Sequence, residues 1–241
     1  MPDSPIVQNG TDESHAYEGH ALYGRRKGKK LRSYHARLVD ELLPHLRVDV
    51  THPVDARALF PQARELWLEI GFGGGEHLLQ RADEHPDIGF IGCEPFINGV
   101  AKALAGIDGQ NLHNIRLLDG DAGLLIDQLP EQSLDRIYLL YPDPWPKRRQ
   151  RKRRFISDEM LKRLARVLKP GAELRFATDI DDYAGWALAR VLRSCDFDWS
   201  PKAAQDWLQP WAGWQSTRYE EKALREGRPS AYFSFVRHLS A

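Results

Sequence analysis

Short runs of apolar residues alternate along the chain with longer stretches in which apolar positions recur at helical spacing. The runs occupy residues 66–70, 88–93, 115–118, 134–141 and 172–177, and each is short enough to be a buried strand. Helical spacing occupies 76–84, 98–106 and 181–193, and Ser157 can cap a further helix that ends at Lys169-Pro170-Gly171. Strands that alternate with helices of this length predict a doubly wound, mainly parallel α/β sheet.

The two ends of the chain follow other patterns. Residues 1–20 are polar and have no period, as in a frayed tail. A short helix is predicted from Ser33 to Leu43, and residues 44–63, with three prolines and no period, indicate a linker. We therefore predict a flexible, basic N-terminal extension with a short helix over 1–55, and one α/β domain over 56–241. Residues 215–238 predict a loop or strand, a turn near Gly227 and a final strand.

Composition restricts the class of protein. Hydrophobic residues make up 42% of the chain and charged residues 28%, which is enough for a sizeable core. The apolar runs are too short to span a bilayer, and the chain does not start like a signal peptide, so we expect a soluble, cytoplasmic protein with no membrane partner. Cys93 and Cys195 have no spacing typical of a disulfide framework or a metal site. No metal is expected.

Charge is concentrated although the formal net charge is zero. Residues 25–32 (RRKGKKLR) hold six basic side chains, and residues 147–154 (KRRQRKRR) hold seven. Two dense basic blocks in a neutral chain indicate local patches that a phosphate backbone can bind.

Acidic residues follow the predicted strands, together with a glycine loop at 71–75. In a doubly wound sheet the ligand lies outside the carboxyl ends of the strands, so these groups predict the binding site. Glu94 lies 23 residues after Gly71, where a carboxylate can accept hydrogen bonds from two ribose hydroxyls. The acids at the strand ends are Glu69, Glu94, Asp121, Asp143 and Asp179.

The glycine loop departs from the dinucleotide fingerprint, because Glu76 stands where G-x-G-x-x-G needs its last glycine. A glutamate at the start of that helix would repel a pyrophosphate. S-adenosyl-L-methionine carries an ammonium and a sulfonium group and no phosphate, so carboxylates favour it. We therefore predict S-adenosyl-L-methionine as the cofactor, with Asp121 able to reach the adenine edge. The predicted cofactor-binding residues are Glu69, Gly71, Gly73, Glu94, Asp121 and Asp143.

The segment Tyr141-Pro142-Asp143-Pro144-Trp145-Pro146-Lys147 follows the fourth predicted strand. Its prolines restrict the backbone on both sides of Asp143 and keep this acid out of helix and sheet. Trp145 offers an aromatic face to a base or to core packing. The basic run that follows suits phosphate contacts beside the predicted cleft.

These motifs together resemble the tRNA (guanine-N7)-methyltransferase family. The resemblance rests on LEIGFG (68–73), GCEP (92–95), PDPWPK (142–147), Thr178-Asp179 and TRYE (217–220), and covers about residues 60–241. It implies a Rossmann-like, class I S-adenosylmethionine-dependent methyltransferase fold and a catalytic domain over 56–241. It also implies a tRNA substrate, methylated at N7 of guanine 46 in the variable loop, and no obligatory protein partner.

The resemblance further implies roles for individual residues. Asp143 would be catalytic and touch both cofactor and base. The substrate guanosine would be held by Lys147, Asp179, Thr217, Arg218, Tyr219 and Glu220. The RNA would be contacted by Arg149, Gln150, Arg151, Lys152, Arg153 and Arg154.

Other classes of function remain open. Amino-group methyltransferases use [DN]-P-P-[YFW] after the fourth strand, and Pro142-Asp143-Pro144-Trp145 resembles this motif without matching it. A nicotinamide oxidoreductase is disfavoured by Glu76 and by the lack of a Tyr-x-x-x-Lys pair within residues 56–241. A non-catalytic RNA-binding module would not need the acids at the strand ends. The tryptophans at 199, 207, 211 and 214 are expected to pack in the core rather than to face RNA or a second subunit.

Overall fold

The computed structural model describes residues 26–239. The strands are β1 (Glu65–Ile70), β2 (Ile88–Cys93), β3 (Ile115–Leu118), β4 (Leu134–Leu140), β5 (Leu168–Thr178), β6 (Phe197–Asp198) and β7 (Ala231–Arg237). The helices are α1 (Ser33–Glu41), α2 (Leu43–Leu46), α3 (Ala56–Leu59), α4 (Glu76–Glu84), α5 (Ile97–Gln110), α6 (Ala122–Gln128), α7 (Asp158–Val167), α8 (Asp181–Val191), α9 (Gln205–Leu208) and α10 (Arg218–Arg225). A 3₁₀ helix spans Arg148–Arg153.

The seven strands form one sheet in the order β3-β2-β1-β4-β5-β7-β6. The pairs from β3 to β5 are parallel, and β7 is antiparallel to both β5 and β6. The predicted doubly wound, mainly parallel sheet is therefore confirmed. The chain leaves β1 toward β2 and β3 and then returns to β4 on the other side of β1, which makes the carboxyl ends of β1 and β4 the switch point.

The sheet is buried on both faces, as its composition predicts. All six residues of β2 are buried, and so are five of the six in β1. The predicted cap of α7 is present, because the hydroxyl of Ser157 accepts a hydrogen bond from the N–H of Met160 (3.1 Å). Leu161 and Leu164 of α7 then pack into the core on one face of the sheet. The four tryptophans at 199, 207, 211 and 214 pack against the core, as expected.

The N-terminal segment differs from the predicted extension. Residues 1–25 lie outside the described part of the chain, but Leu38 and Leu43 of α1 and α2 are buried against the sheet domain. The N–H of Val48 donates to the carbonyl oxygen of Leu117 in β3 (2.8 Å), and the N–H of Val54 donates to that of Gln128 (2.8 Å). These apolar and backbone contacts attach residues 33–54 to the domain, whereas the sequence analysis predicted a flexible extension up to residue 55.

The sequence analysis missed two helices of seven and eight residues, α6 and α10, and the four-residue helices α2, α3 and α9. Asp121 caps the N-terminus of helix α6, because its side chain accepts a hydrogen bond from the N–H of Gly123 (2.8 Å). Helix α10 lies where a loop or strand was predicted, and that prediction is wrong. Only Glu220 and Ala223 of α10 are buried, so the helix has no apolar stripe for a pattern to reveal. Within residues 26–239 no helix is long and apolar enough to cross a membrane.

Candidate functional site

A cavity of about 630 Å³ opens at the switch point of the sheet. Its walls come from segments that directly follow four parallel strands: 71–73 after β1, 94–96 after β2, 120–122 after β3 and 141–145 after β4. The wall also includes Tyr219 and several residues of segment 152–159, namely Lys152, Arg153, Arg154, Phe155, Ser157 and Glu159. A cavity that collects the ends of several strands is the expected ligand site of such a sheet.

The glycine loop adopts a backbone that side chains rarely allow. Gly71, Gly73 and Gly75 have φ angles of +73°, +59° and +85°. Gly73 is also closely approached by α5, because a Cβ on Gly99 would overlap the carbonyl oxygen of Gly73 and lie 3.1 Å from its carbonyl carbon. The loop is therefore fixed by glycines on both sides of this contact, and its backbone is left open to a ligand.

Glu94 is a buried carboxylate at the edge of the glycine loop. Its Oε2 accepts a hydrogen bond from the N–H of Gly73 (2.7 Å), and its Oε1 accepts one from the N–H of Phe96 (2.9 Å). Burial raises the pKa of this carboxyl, and the two backbone N–H groups oppose the rise. Each oxygen keeps a lone pair, so the carboxylate can still accept hydrogen bonds from a ligand.

Asp143 lies on a loop with an unusual backbone. The flanking Tyr141 and Trp145 have φ angles of +49° and +42°, which bulky residues adopt only when the surroundings enforce it. Prolines 142 and 144 restrict the loop between them. The loop thus presents Asp143 to the cavity, and partial removal from water raises the pKa of its carboxyl.

Three contacts hold this strained loop in place. The N–H of Tyr141 donates to the carbonyl oxygen of Ala177 in β5 (2.8 Å), and the Tyr141 hydroxyl donates to Oγ of Ser230 (3.0 Å). Burial also raises the pKa of Tyr141, so the hydroxyl stays protonated. On the other side of the loop, Nε of Arg154 donates to the carbonyl oxygen of Pro144 (2.7 Å).

Helix α10 covers the glycine loop. Its N-terminus is capped by Thr217, whose hydroxyl accepts a hydrogen bond from the N–H of Glu220 (3.3 Å). Glu220 is buried and its carboxylate accepts hydrogen bonds from the Trp214 indole N–H (2.7 Å) and from the hydroxyl of Tyr232. A Cβ on Gly73 would lie 3.1 Å from Cε2 of Tyr219, so the start of α10 sits directly on the loop.

The basic run after β4 contains two kinds of arginine. Lys147 and, in the 3₁₀ helix, Arg148, Arg149 and Lys152 are exposed, and the other residues of that helix are half-buried. Arg154 is 3% exposed, forms an ion pair with Asp182, and lies 4.9 Å from the ring centre of Tyr183. Arg154 thus differs from its exposed neighbours, because its buried guanidinium holds α8 and the Asp143 loop together.

Sequence comparisons agree with this geometry. A family described as "Putative methyltransferase" matches residues 63–232. The tRNA (guanine-N(7)-)-methyltransferase of Rhodopseudomonas palustris is 54% identical over 220 residues, which cover 90% of this chain and 86% of the relative. The enzyme of the same name from Agrobacterium fabrum is 52% identical over 94% of this chain and 99% of its own length. The chain belongs to the tRNA (guanine-N7)-methyltransferase family.

Solved structures of similar fold include other RNA methyltransferases. The 16S rRNA methyltransferase KamB has a TM-score of 0.56 and 19% identity, covering 77% of this chain and 94% of KamB. A 16S rRNA (adenine(1408)-N(1))-methyltransferase from Catenulisporales acidiphilia has a TM-score of 0.53 and 14% identity, covering 80% of this chain and 93% of that one. At this identity the likeness shows the fold alone, and the fold is that of the Rossmann-like, class I methyltransferases.

In this member of the tRNA (guanine-N7)-methyltransferase family, six of the twelve residues predicted to bind the cofactor or the base line one cavity. They are Gly71, Gly73, Glu94, Asp121, Asp143 and Tyr219. Arg218 lies beside them, where it pairs with Glu76 (3.5 Å). Among the described residues, no group of histidine, cysteine, aspartate or glutamate side chains is placed to hold a metal ion.

Several predicted residues lie elsewhere. Glu69 does not line the cavity, because its buried carboxylate accepts a hydrogen bond from Nδ1 of His77 (2.7 Å) beneath the glycine loop. Asp179 forms an ion pair with Arg228 (2.8 Å). Thr217 and Glu220 are buried and bonded within the protein, which gives them the role of shaping α10.

The predicted site residues did not include two aromatic residues of the cavity wall that lie beside its motifs. Phe96 follows the GCEP motif and Tyr141 precedes the Asp143 loop, and both line the cavity. Only their position next to a motif could have indicated that they line the cavity, because a single aromatic residue at a strand end forms no sequence pattern. The strained φ of Tyr141 could not be read from the sequence.

Proposed function

We propose that this chain transfers a methyl group from S-adenosyl-L-methionine to N7 of guanine in tRNA, giving 7-methylguanosine. The proposal includes guanine 46 of the variable loop as the target, activity in the cytoplasm and no obligatory protein partner. The observation that carries it is the meeting of Asp143, Glu94 and the start of α10 around one cavity. Relatives that are 51–54% identical carry the name of this activity.

The residues of the cavity fit the proposed cofactor. Glu94 would accept hydrogen bonds from the ribose hydroxyls, and Asp121 would face the adenine. The open backbone of the glycine loop admits close approach of the methionine part. Carboxylates stabilise an ammonium and a sulfonium group, whereas they would repel a phosphate. Glu69 does not line the cavity, so it would act on the cofactor only indirectly. When bound, the cofactor supplies an electrophilic methyl group.

For this reaction the protein mainly has to position the guanine and to stabilise the charge that develops on it. Guanine N7 has a lone pair and no proton, so it can attack without a base. One N–C bond forms as the S–CH₃ bond breaks, and the positive charge passes from sulfur to the base. Asp143 would stabilise the charge that develops on the base. The cavity wall and Tyr219 would hold N7 in line at about 3 Å and exclude water.

The guanosine and the RNA would be held by side chains around the cavity mouth. Arg218, Tyr219, Lys147 and Asp179 are proposed for the nucleoside. For the phosphates we propose the basic run before Arg154, namely Arg149, Gln150, Arg151, Lys152 and Arg153. The target base must leave its stack to reach the cavity.

The test is to incubate the purified protein with methyl-labelled S-adenosyl-L-methionine and bulk tRNA that lacks the modification, and then to digest the tRNA. We expect the label in 7-methylguanosine. Asp143→Asn is the matched control, since it keeps the shape of the side chain and removes the charge. Label in a different nucleoside would refute the assignment to guanine N7 and support an amino-group methyltransferase. Cofactor binding without any labelled tRNA would refute the substrate.

A further inference from the structure

Residues 26–30 form a cationic segment that is attached to the rim of the cavity. The carbonyl oxygen of Arg26 accepts a hydrogen bond from the N–H of Ile97 (3.1 Å). Asn98 bonds to the segment twice: its Oδ1 accepts from the N–H of Gly28 (2.8 Å), and its Nδ2 donates to the carbonyl oxygen of Lys29 (2.7 Å). Three backbone contacts thus tie the segment to the first turn of α5.

Gly28 places the segment directly against the cavity wall. A Cβ on Gly28 would lie 2.7 Å from Cζ of Phe96 and 2.8 Å from Oδ1 of Asn98. Phe96 also lines the cavity. The cationic segment therefore contacts a residue of the cavity wall.

The charges of the segment are available to a partner. Arg26, Lys27, Lys29 and Lys30 are exposed, and none of the ion pairs found within residues 26–239 involves them. Four such cations within five residues make a strong local field in a chain of zero net charge. A polyanion with regularly spaced charges complements this surface better than a small anion does.

A second cationic surface lies across the cavity. Lys152 and Arg153 line the wall beyond β4, whereas Phe96 follows β2, and β1 lies between these two strands. Because neighbouring strands are about 4.8 Å apart, the two walls are about 10 Å apart at the level of the sheet. A nucleic-acid strand that delivers one base into the cavity would present phosphates to both walls.

We propose that Asn98 anchors residues 26–30 as a second phosphate-binding surface for tRNA, opposite the Arg148–Arg153 helix. The inference rests on the proposed function, since it takes tRNA as the polyanion. Backbone phosphates of the RNA contact Lys29 and Lys30 on the β2 side while the target base enters the cavity. Asn98 acts as a positioning residue, because it holds the segment and does not touch the substrate.

The experiment measures tRNA affinity of the full chain against salt concentration for the wild type, Lys29→Ala/Lys30→Ala and Asn98→Ala. Each lost phosphate contact lowers the slope of log affinity against log salt by about 0.7–0.9. We expect the double lysine variant to lose about 1.5 from the slope, and Asn98→Ala to move in the same direction. S-adenosyl-L-methionine affinity should change less than about twofold in both, because Glu94 and the glycine loop are untouched.

Two controls make the outcome clear. Lys202→Ala removes one exposed cation near β6, at the opposite edge of the sheet, and should leave the slope unchanged. Gln110→Ala removes an exposed amide from the last residue of α5 and controls for Asn98→Ala. A wild-type slope in the double lysine variant, or wild-type tRNA binding in Asn98→Ala, overturns the inference. A wild-type protein that neither binds nor methylates tRNA would instead refute the proposed function.

Discussion

The contact between α5 and the glycine loop makes Gly99→Ala a sharp test of how the cavity is built. The added methyl group would lie 3.1 Å from the carbonyl carbon of Gly73 and 3.3 Å from Cγ of Glu94. Carbon atoms pack at about 3.5–4.0 Å, so the loop or the helix must move by about 0.5–1 Å. The loop cannot yield freely, because its N–H at Gly73 is bonded to the Glu94 carboxylate.

Two effects lower the stability of Gly99→Ala: overpacking against the loop and a weaker hydrogen bond between Gly73 and Glu94. Overpacking costs about 1–3 kcal/mol. Complete loss of a hydrogen bond to a buried carboxylate costs about 1.5–3 kcal/mol, and weakening the bond costs part of this. We expect a loss of at least about 2 kcal/mol in the free energy of unfolding, which lowers the Tm by about 4–8 °C in a protein of this size. Displacement of Glu94 should weaken S-adenosyl-L-methionine binding by about 10- to 100-fold.

Two other glycines of α5 provide matched controls. A Cβ on Gly109 meets nothing within 4 Å, so Gly109→Ala should keep or raise the Tm. A Cβ on Gly106 meets only the side chain of Leu79, so Gly106→Ala should lower the Tm and leave cofactor affinity near wild type. Thermal unfolding followed by circular dichroism and calorimetric titration with the cofactor give the two readouts. Wild-type Tm and affinity in Gly99→Ala would refute the reasoning.

Four further predictions follow from the Asp143 loop and the contacts that hold it. Asp143→Asn should lower turnover about 100- to 1,000-fold while cofactor affinity stays measurable, and an equal loss of both would contradict a chemical role. Because burial raises the pKa of Asp143, wild-type turnover should fall as pH decreases through this raised pKa, and the residual turnover of Asp143→Asn should lack this step. Tyr141→Phe removes the hydrogen bond to Ser230 and should cost about 1 kcal/mol of stability in chemical denaturation, so an unchanged unfolding midpoint would argue against this tether. Arg154→Met should lower both Tm and turnover, whereas Arg149→Ala should weaken only tRNA binding, and equal behaviour of the two variants would contradict the buried role of Arg154.

The strands and their terminal acids could be predicted because both depend on local sequence. A buried parallel strand needs a short apolar run, and β2 was predicted with its bounds at Ile88 and Cys93. The sheet then brings Glu94, Asp121 and Asp143 to one edge, since parallel strands end on the same side. These residues line one cavity, as the topology requires.

Local sequence could not predict the role of residues whose surroundings come from distant segments of the chain. Glu220 lies in a charged stretch, and its burial depends on hydrogen bonds from Trp214 and Tyr232. Arg154 looks like its basic neighbours in sequence, but α8 supplies Asp182 and two aromatic rings that enclose it. The sequence does not tell which member of a basic run meets such partners.

The position of β7 between β5 and β6 has a consequence for folding during synthesis. Strands β1 to β5 can pair as the chain emerges from the ribosome. Until β7 is made, however, β5 has an unpaired edge, and the ring of Phe176 lacks the aromatic rings that stack on it. Phe233 and Phe235 stack on that ring at 5.9 and 6.5 Å between ring centres, and both belong to β7. Exposed edges of this kind pair with other chains. A nascent chain that pauses before residue 231 would therefore be prone to aggregate, and rapid translation of this last stretch would limit the time for which the edge is exposed.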